Sequence, residues 1–215
     1  MVRLESSLEP ILLPQSKILA MPGQEVLYVY FLEDGLASIV VTMRNGVSVE
    51  VGVVGREGLI GLPVLFGTQQ TSTHTFMQIA GSGFRIKSQQ FKIEYDRPGR
   101  FHDNCARYLQ SHLVQVSNSA ACNRVHNIEE RLARLLLLCH DRTATERLPL
   151  THEFLAQMLG TGRATVTLAA GILQRSRFIG YSRGKLDILD RKGLEGAACE
   201  CYQVIRDEDN RLGVL

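Results

Sequence analysis

Arg163, Thr165 and Thr167 carry side chains suited to nucleic acid. A guanidinium can offer two parallel donors to guanine O6 and N7, and threonine combines a hydroxyl for phosphate with a methyl for thymine. Such groups read bases only when a rigid element carries them into the major groove, so the surrounding pattern decides. Thr151 can cap a helix, and Leu155, Leu159, Val166 and Ala169 supply apolar contacts. Ala156 keeps a side chain small where two helices would cross. Gly160 follows four residues later, where a sharp turn can need positive φ, and Val166 stands six residues beyond it. This spacing predicts a helix-turn-helix whose second helix starts near Gly162-Arg163, with Ala164 and Thr165 also nearest the base edges. A plain helical hairpin would show a similar pattern.

The residues downstream favour a winged variant. Phe178 to Tyr181 and Leu186 to Leu189 flank Ser182-Arg183-Gly184-Lys185, a turn suited to a small hairpin. Arg183 and Lys185 at its tip can meet phosphates or stay as solvated surface charges. The net charge of +2 hides an asymmetry: residues 161–192 hold seven basic residues against two acids, and the tail from Leu194 holds five acids against two arginines. A basic head beside an acidic tail fits a nucleic-acid reader.

Two further regimes precede this segment. From about Ile18 to Ile93, β-branched and polar residues alternate between glycines, and Arg44-Asn45-Gly46 separates two strand-like runs as a hairpin turn in which Asn45 and Gly46 would both take positive φ. The strand spacing predicts an all-β barrel or sandwich. From Arg100 to His140 glycine and proline vanish. Phe101, Cys105, Leu109, His112, Leu113, Val116 and Ala120 mark one face of a helix about 36 Å long. That stripe suits either its own barrel or a second copy of the chain across a two-fold axis.

Glycine-rich β-region, long helix and winged helix, in that order, resemble the Crp/Fnr family of bacterial transcription regulators. The run from Leu150 to Val166 looks like that family's DNA-reading motif, and Val54-Gly55-Arg56-Glu57-Gly58 and Ala198-Cys199-Glu200-Cys201-Tyr202 resemble a subgroup. The resemblance implies an α+β chain: a β-barrel or jelly-roll sensor over 1–99, a dimerisation helix over 100–126 and a winged helix-turn-helix over 127–215. It also implies a cytoplasmic homodimer on palindromic double-stranded DNA, with Cys105, Leu109, His112, Leu113, Val116 and Ala120 at the dimer interface and RNA polymerase as a candidate further partner.

Departures from the family pattern matter for the ligand. Its cyclic-nucleotide sensors place an acid on the ribose and an arginine on the cyclic phosphate. Here Leu62 replaces the acid and Thr71 the arginine, so cyclic AMP is not expected. Leu62, Thr71, Ser72 and Thr73 are instead the candidate lining of a different effector pocket. In the reading helix, Arg163-Ala164-Thr165-Val166-Thr167-Leu168 lacks the family's acid and second arginine, which implies a different operator.

No cysteine precedes Cys105, which argues against the family's N-terminal iron–sulfur cluster. The five cysteines fit reduced cytosolic thiols, and Cys199-x-Cys201 alone is a poor chelate, read as packing or a redox-sensitive pair. No metal is therefore expected, and His74, His102 and His112 read as isolated histidines. The glycine-rich Gly52 to Gly61 lacks a P-loop ending. The competing class is a cupin-like metal-dependent enzyme, but the β-region offers only His74 as an imidazole ligand. A structural protein without DNA binding is the third class. No apolar run spans a bilayer and no signal peptide is visible, so no membrane partner is expected.

Overall fold

The computed structural model describes residues 2–143, 145 and 147–214. After a single turn α1 (Val2–Glu5) come eight strands: β1 (Glu9–Leu13), β2 (Ile18–Ala20), β3 (Tyr28–Leu32), β4 (Leu36–Thr42), β5 (Ser48–Val54), β6 (Leu59–Ile60), β7 (His74–Ile79) and β8 (Gly81–Lys87). They form two antiparallel sheets, in the orders β1-β8-β3-β6 and β2-β7-β4-β5. Leu13, Val29, Leu32, Met77 and Ile86 fill the interior of this jelly-roll-like sandwich. The β4–β5 connection departs from the expected two-residue turn. Gly46 is left-handed at φ 84° while Asn45 is not, and Asn45 instead accepts a hydrogen bond from the Val47 amide.

Strand alternation makes the second sheet a wall between two cores. Ala37, Ile39 and Val54 point into the sandwich, whereas Leu36 and Val53 join the core of the C-terminal half. Successive side chains on a strand face opposite sides, so one sheet serves both. Against it lies α3 (Arg100–Val125), reached through α2 (Ser88–Tyr95). Its 26 residues span about 39 Å. Gly52 lets this helix approach, since a Cβ there would stand 3.0 Å from Gln115 Oε1 and His112 Cε1. Gln115 Oε1 in turn accepts from the Val53 amide at 2.9 Å.

An elbow at Asn127, held by a reciprocal capping box with Glu130, starts α4 (Ile128–Arg142). Then follow β9 (Arg147–Leu148), α5 (His152–Leu159), α6 (Arg163–Arg175), β10 (Ile179–Ser182), β11 (Lys185–Ile188), α7 (Arg191–Ala197) and α8 (Cys201–Leu212). The hairpin gains β9 as a third strand, in the order β10-β11-β9. The acidic tail is largely folded: α8 packs along α3, burying Tyr202, Ile205 and Asp209.

Candidate DNA-reading face and effector cavity

The helix-turn-helix geometry follows from a few residues. Thr151 accepts a hydrogen bond from the Phe154 amide at 3.2 Å and starts α5. Gly160 ends it at φ 59°, where a side chain would be strained and would press on Val49. Leu155, Ala156, Leu159, Val166 and Ala169 are all buried, locking α6 across α5. Gly162 is the N-cap of α6, which leaves Arg163, Ala164, Thr165 and Thr167 exposed on its first turns.

The wing lies beside this helix pair. Arg183 and Gly184 both take positive φ, at 51° and 75°, the two-residue turn that suits strand twist. Gly184 sits against Thr151, with its ideal Cβ position 3.5 Å from Thr151 Cγ2. His152 stacks on Tyr181 at 4.3 Å and its Nδ1 lies 3.0 Å from Thr167 Oγ1, tying wing, α5 and α6 together. Burial, and then the Arg163 charge, lower the His152 pKa. Thr167 also donates to the Arg163 carbonyl at 3.0 Å, so its hydroxyl is engaged within the fold and its methyl is the freer contact.

Sequence reasoning did not single out Leu168 as a candidate site residue. It is 71% exposed, four residues after Ala164 on the same side of the helix, and Ile172 continues the row. A large apolar side chain this open on a reading helix was legible only as the place where the family pattern has arginine. His152 was also missed, because its role depends on a hairpin thirty residues downstream.

The long helix needs a correction. Cys105 and His112 were expected at a dimer interface, but they are 4% and 8% exposed against the chain's own sandwich. Two adjacent stripes run along α3. The inward one includes Tyr108, Ser111, Gln115, Ser119 and Cys122, whose polar members the hydrophobic pattern passed over. The outward one keeps Leu109, Leu113, Val116 and Ala120, at steps of four, three and four; Leu109 still packs partly on the sandwich core, while Leu113 is 54% exposed.

Leu62 and the run Thr71, Ser72 and Thr73 line one cavity of about 380 Å³ with Val51, His112 and Val116. Thr71 and Thr73 share a hydroxyl–hydroxyl hydrogen bond of 3.0 Å. No Asp, Glu, Lys or Arg among the described residues lines the space. Burial pushes the His112 imidazole down to about 4, with the Arg142 charge acting the same way, so it is neutral at neutral pH.

Residues 130–197 match the Crp-like helix-turn-helix domain, and the transcriptional regulator SdrP of Thermus thermophilus is 26% identical over 175 residues, 79% of this chain and 83% of SdrP. Residues 130–197 therefore form a Crp-like helix-turn-helix domain, and the chain is similar to a Crp/Fnr-type regulator over most of its length. FixK2 of Bradyrhizobium japonicum shares the fold with a TM-score of 0.77 at 14% identity, covering 89% of this chain and 98% of FixK2. A CRP-family transcriptional regulator of Thermus thermophilus gives 0.70 at 21% identity, covering 90% of this chain and 99% of that one. The chain is thus a transcription regulator with a Crp-like helix-turn-helix DNA-binding domain, and the cupin-like enzyme gains no support. Among its described residues no helix is long and apolar enough to cross a membrane.

Proposed function

We propose that the protein is a cytoplasmic homodimer that binds a palindromic operator and answers to a small uncharged effector, without enzymatic activity. The labour divides into a sensor over 1–99, a dimerisation helix over 100–126 and a DNA-binding segment over 127–215. The observation that carries this reading is the joint surface of α6 and the wing. Arg163, Ala164, Thr165 and Leu168 face outward for bases, with Arg183 and Lys185 beside them for phosphates.

The outward row Leu109, Leu113, Val116 and Ala120 supports the dimer, since steps of four and three form the seam of paired helices. The cavity supports the effector class. A cyclic phosphate needs a cation to meet it, and the lining offers hydroxyls, a neutral imidazole and apolar walls. His112 and Val116 belong both to that lining and to α3, so a ligand there would bear directly on the dimerisation helix and shift the spacing of two reading heads. The test is DNA binding by purified protein followed with salt and by sedimentation. A dimer with steeply salt-dependent binding supports the reading; a monomer indifferent to DNA refutes it.

A further inference from the structure

Cys122 and His126 stand one turn apart at the end of α3, and the junction of α7 and α8 brings Cys199 and Cys201 against them. One donor atom from each of the four lies within 4.8 Å of the other three. The Cys122 and Cys199 sulfurs are 3.4 Å apart, and Cys201 Sγ is 3.8 Å from His126 Nδ1. Around a tetrahedral ion with bonds of ~2.3 Å to sulfur and ~2.0–2.1 Å to nitrogen, neighbouring donors are separated by ~3.5–3.8 Å. We propose that Cys122, His126, Cys199 and Cys201 form a Cys3His site for one thiophilic divalent cation, with Zn2+ the ion of best fit.

Three observations separate this from simple packing. The three cysteines form a buried cluster of their own, joined to neither hydrophobic core, whereas a cysteine acting as a small apolar filler sits within a core, as Cys105 and Cys139 do. His126 is oriented for ligation: its Nε2 is 2.9 Å from Glu200 Oε2, which turns Nδ1 toward the sulfurs. A carboxylate on the far nitrogen is the usual companion of a metal-bound imidazole. Arg134, 6% exposed, interacts electrostatically with all three sulfurs and offsets the single negative charge left by three thiolates and a divalent ion.

A disulfide would use two of the sulfurs and leave the third and the imidazole unexplained. An iron–sulfur cluster needs donors spread around several metal atoms, and this set is too compact. With four protein ligands the site is closed, which suits a structural or sensing ion rather than a catalytic one. Binding would take a proton from each thiol and staple the α7–α8 junction to the end of the helix that precedes the DNA-binding segment.

The test uses tag-free, full-length protein purified under reducing, anaerobic conditions without chelator. Elemental analysis should find about one zinc per chain, and Co2+ added to the metal-stripped protein should give the thiolate-to-cobalt charge-transfer and strong visible bands of a tetrahedral site. Cys199→Ser with Cys201→Ser should abolish both signals, and Cys105→Ser, a thiol of the sandwich core, should leave them intact. The cobalt spectrum of the unaltered protein stands even if the double variant fails to fold. Zinc at trace level with no thiolate-to-cobalt band would overturn the proposal, as would a quantitative Cys122–Cys199 disulfide in the anaerobic protein.

Discussion

Arg142 holds its Nε 3.1 Å from Glu57 Oε1, and both side chains are almost sealed from solvent. The same guanidinium reaches Asp209 at 2.9 Å, and Ser111 donates to that second carboxylate. One cation thereby joins the end of α4, the β5–β6 turn of the sandwich, α8 and α3. The turn is shaped for it: Gly55 lies against the Arg142 backbone and Gly58 against the Tyr108 ring, and neither position has room for a Cβ. The Val54 to Gly58 motif noted in the sequence therefore works as the socket that receives the DNA-binding segment.

Removing the cation should be costly. Arg142→Met leaves Glu57 and Asp209 buried without a counter-charge, and should lower unfolding free energy by about 3–5 kcal/mol. Urea denaturation measures it. Adding Glu57→Gln and Asp209→Asn to that variant should recover much of the loss; a single-variant effect below about 1 kcal/mol would mean the ion pair is not sealed as described.

Glu50 predicts a pH dependence. Burial pushes its carboxyl up to about 8, against the lowering effects of Ser38 and Arg134. The folded chain keeps this proton where the unfolded chain has released it. Glu50 therefore contributes stability that is present in full below the unfolded value of 4.5 and is lost as pH rises towards about 8. Glu50→Gln should remove a slope of up to about 1.4 kcal/mol per pH unit across that window. Parallel pH–stability curves for the two proteins would contradict the assignment.

At the reading face, two charges should behave differently. Arg163→Ala should reduce preference for the operator by about 1–3 kcal/mol while leaving affinity for random DNA nearly intact. Lys185→Ala should weaken binding to every sequence and reduce the salt slope by about 1. Equal losses on operator and random DNA for Arg163→Ala would remove its role as a base reader.

Leu168 should select an apolar base edge, the thymine methyl being the one that the major groove presents. Leu168→Arg should shift the preferred base at the facing position toward guanine. An unchanged preference would place Leu168 outside the base contacts.

The helix-turn-helix was legible because its signals are local: a cap at Thr151, a left-handed Gly160 and buried Val166 lie within one short segment. The hairpin turn at Arg183-Gly184 was legible for the same reason. The two stripes of α3 were not, because Ser111, Gln115 and Ser119 are buried through contacts that hydropathy cannot see. Nor was α8, whose buried face ends in Asp209, a residue that makes sense only beside Arg142. Cys199 and Cys201 were read without partners since Cys122 is 77 residues from Cys199 and meets it only in the fold.

The most direct measurement is selection of bound fragments from random DNA by the purified protein, with sequencing of the enriched pool. A homodimeric reader predicts a palindromic consensus whose half-sites lie about one helical turn, roughly 34–36 Å, apart. A pool without enrichment, or with a single non-repeated element, would contradict it.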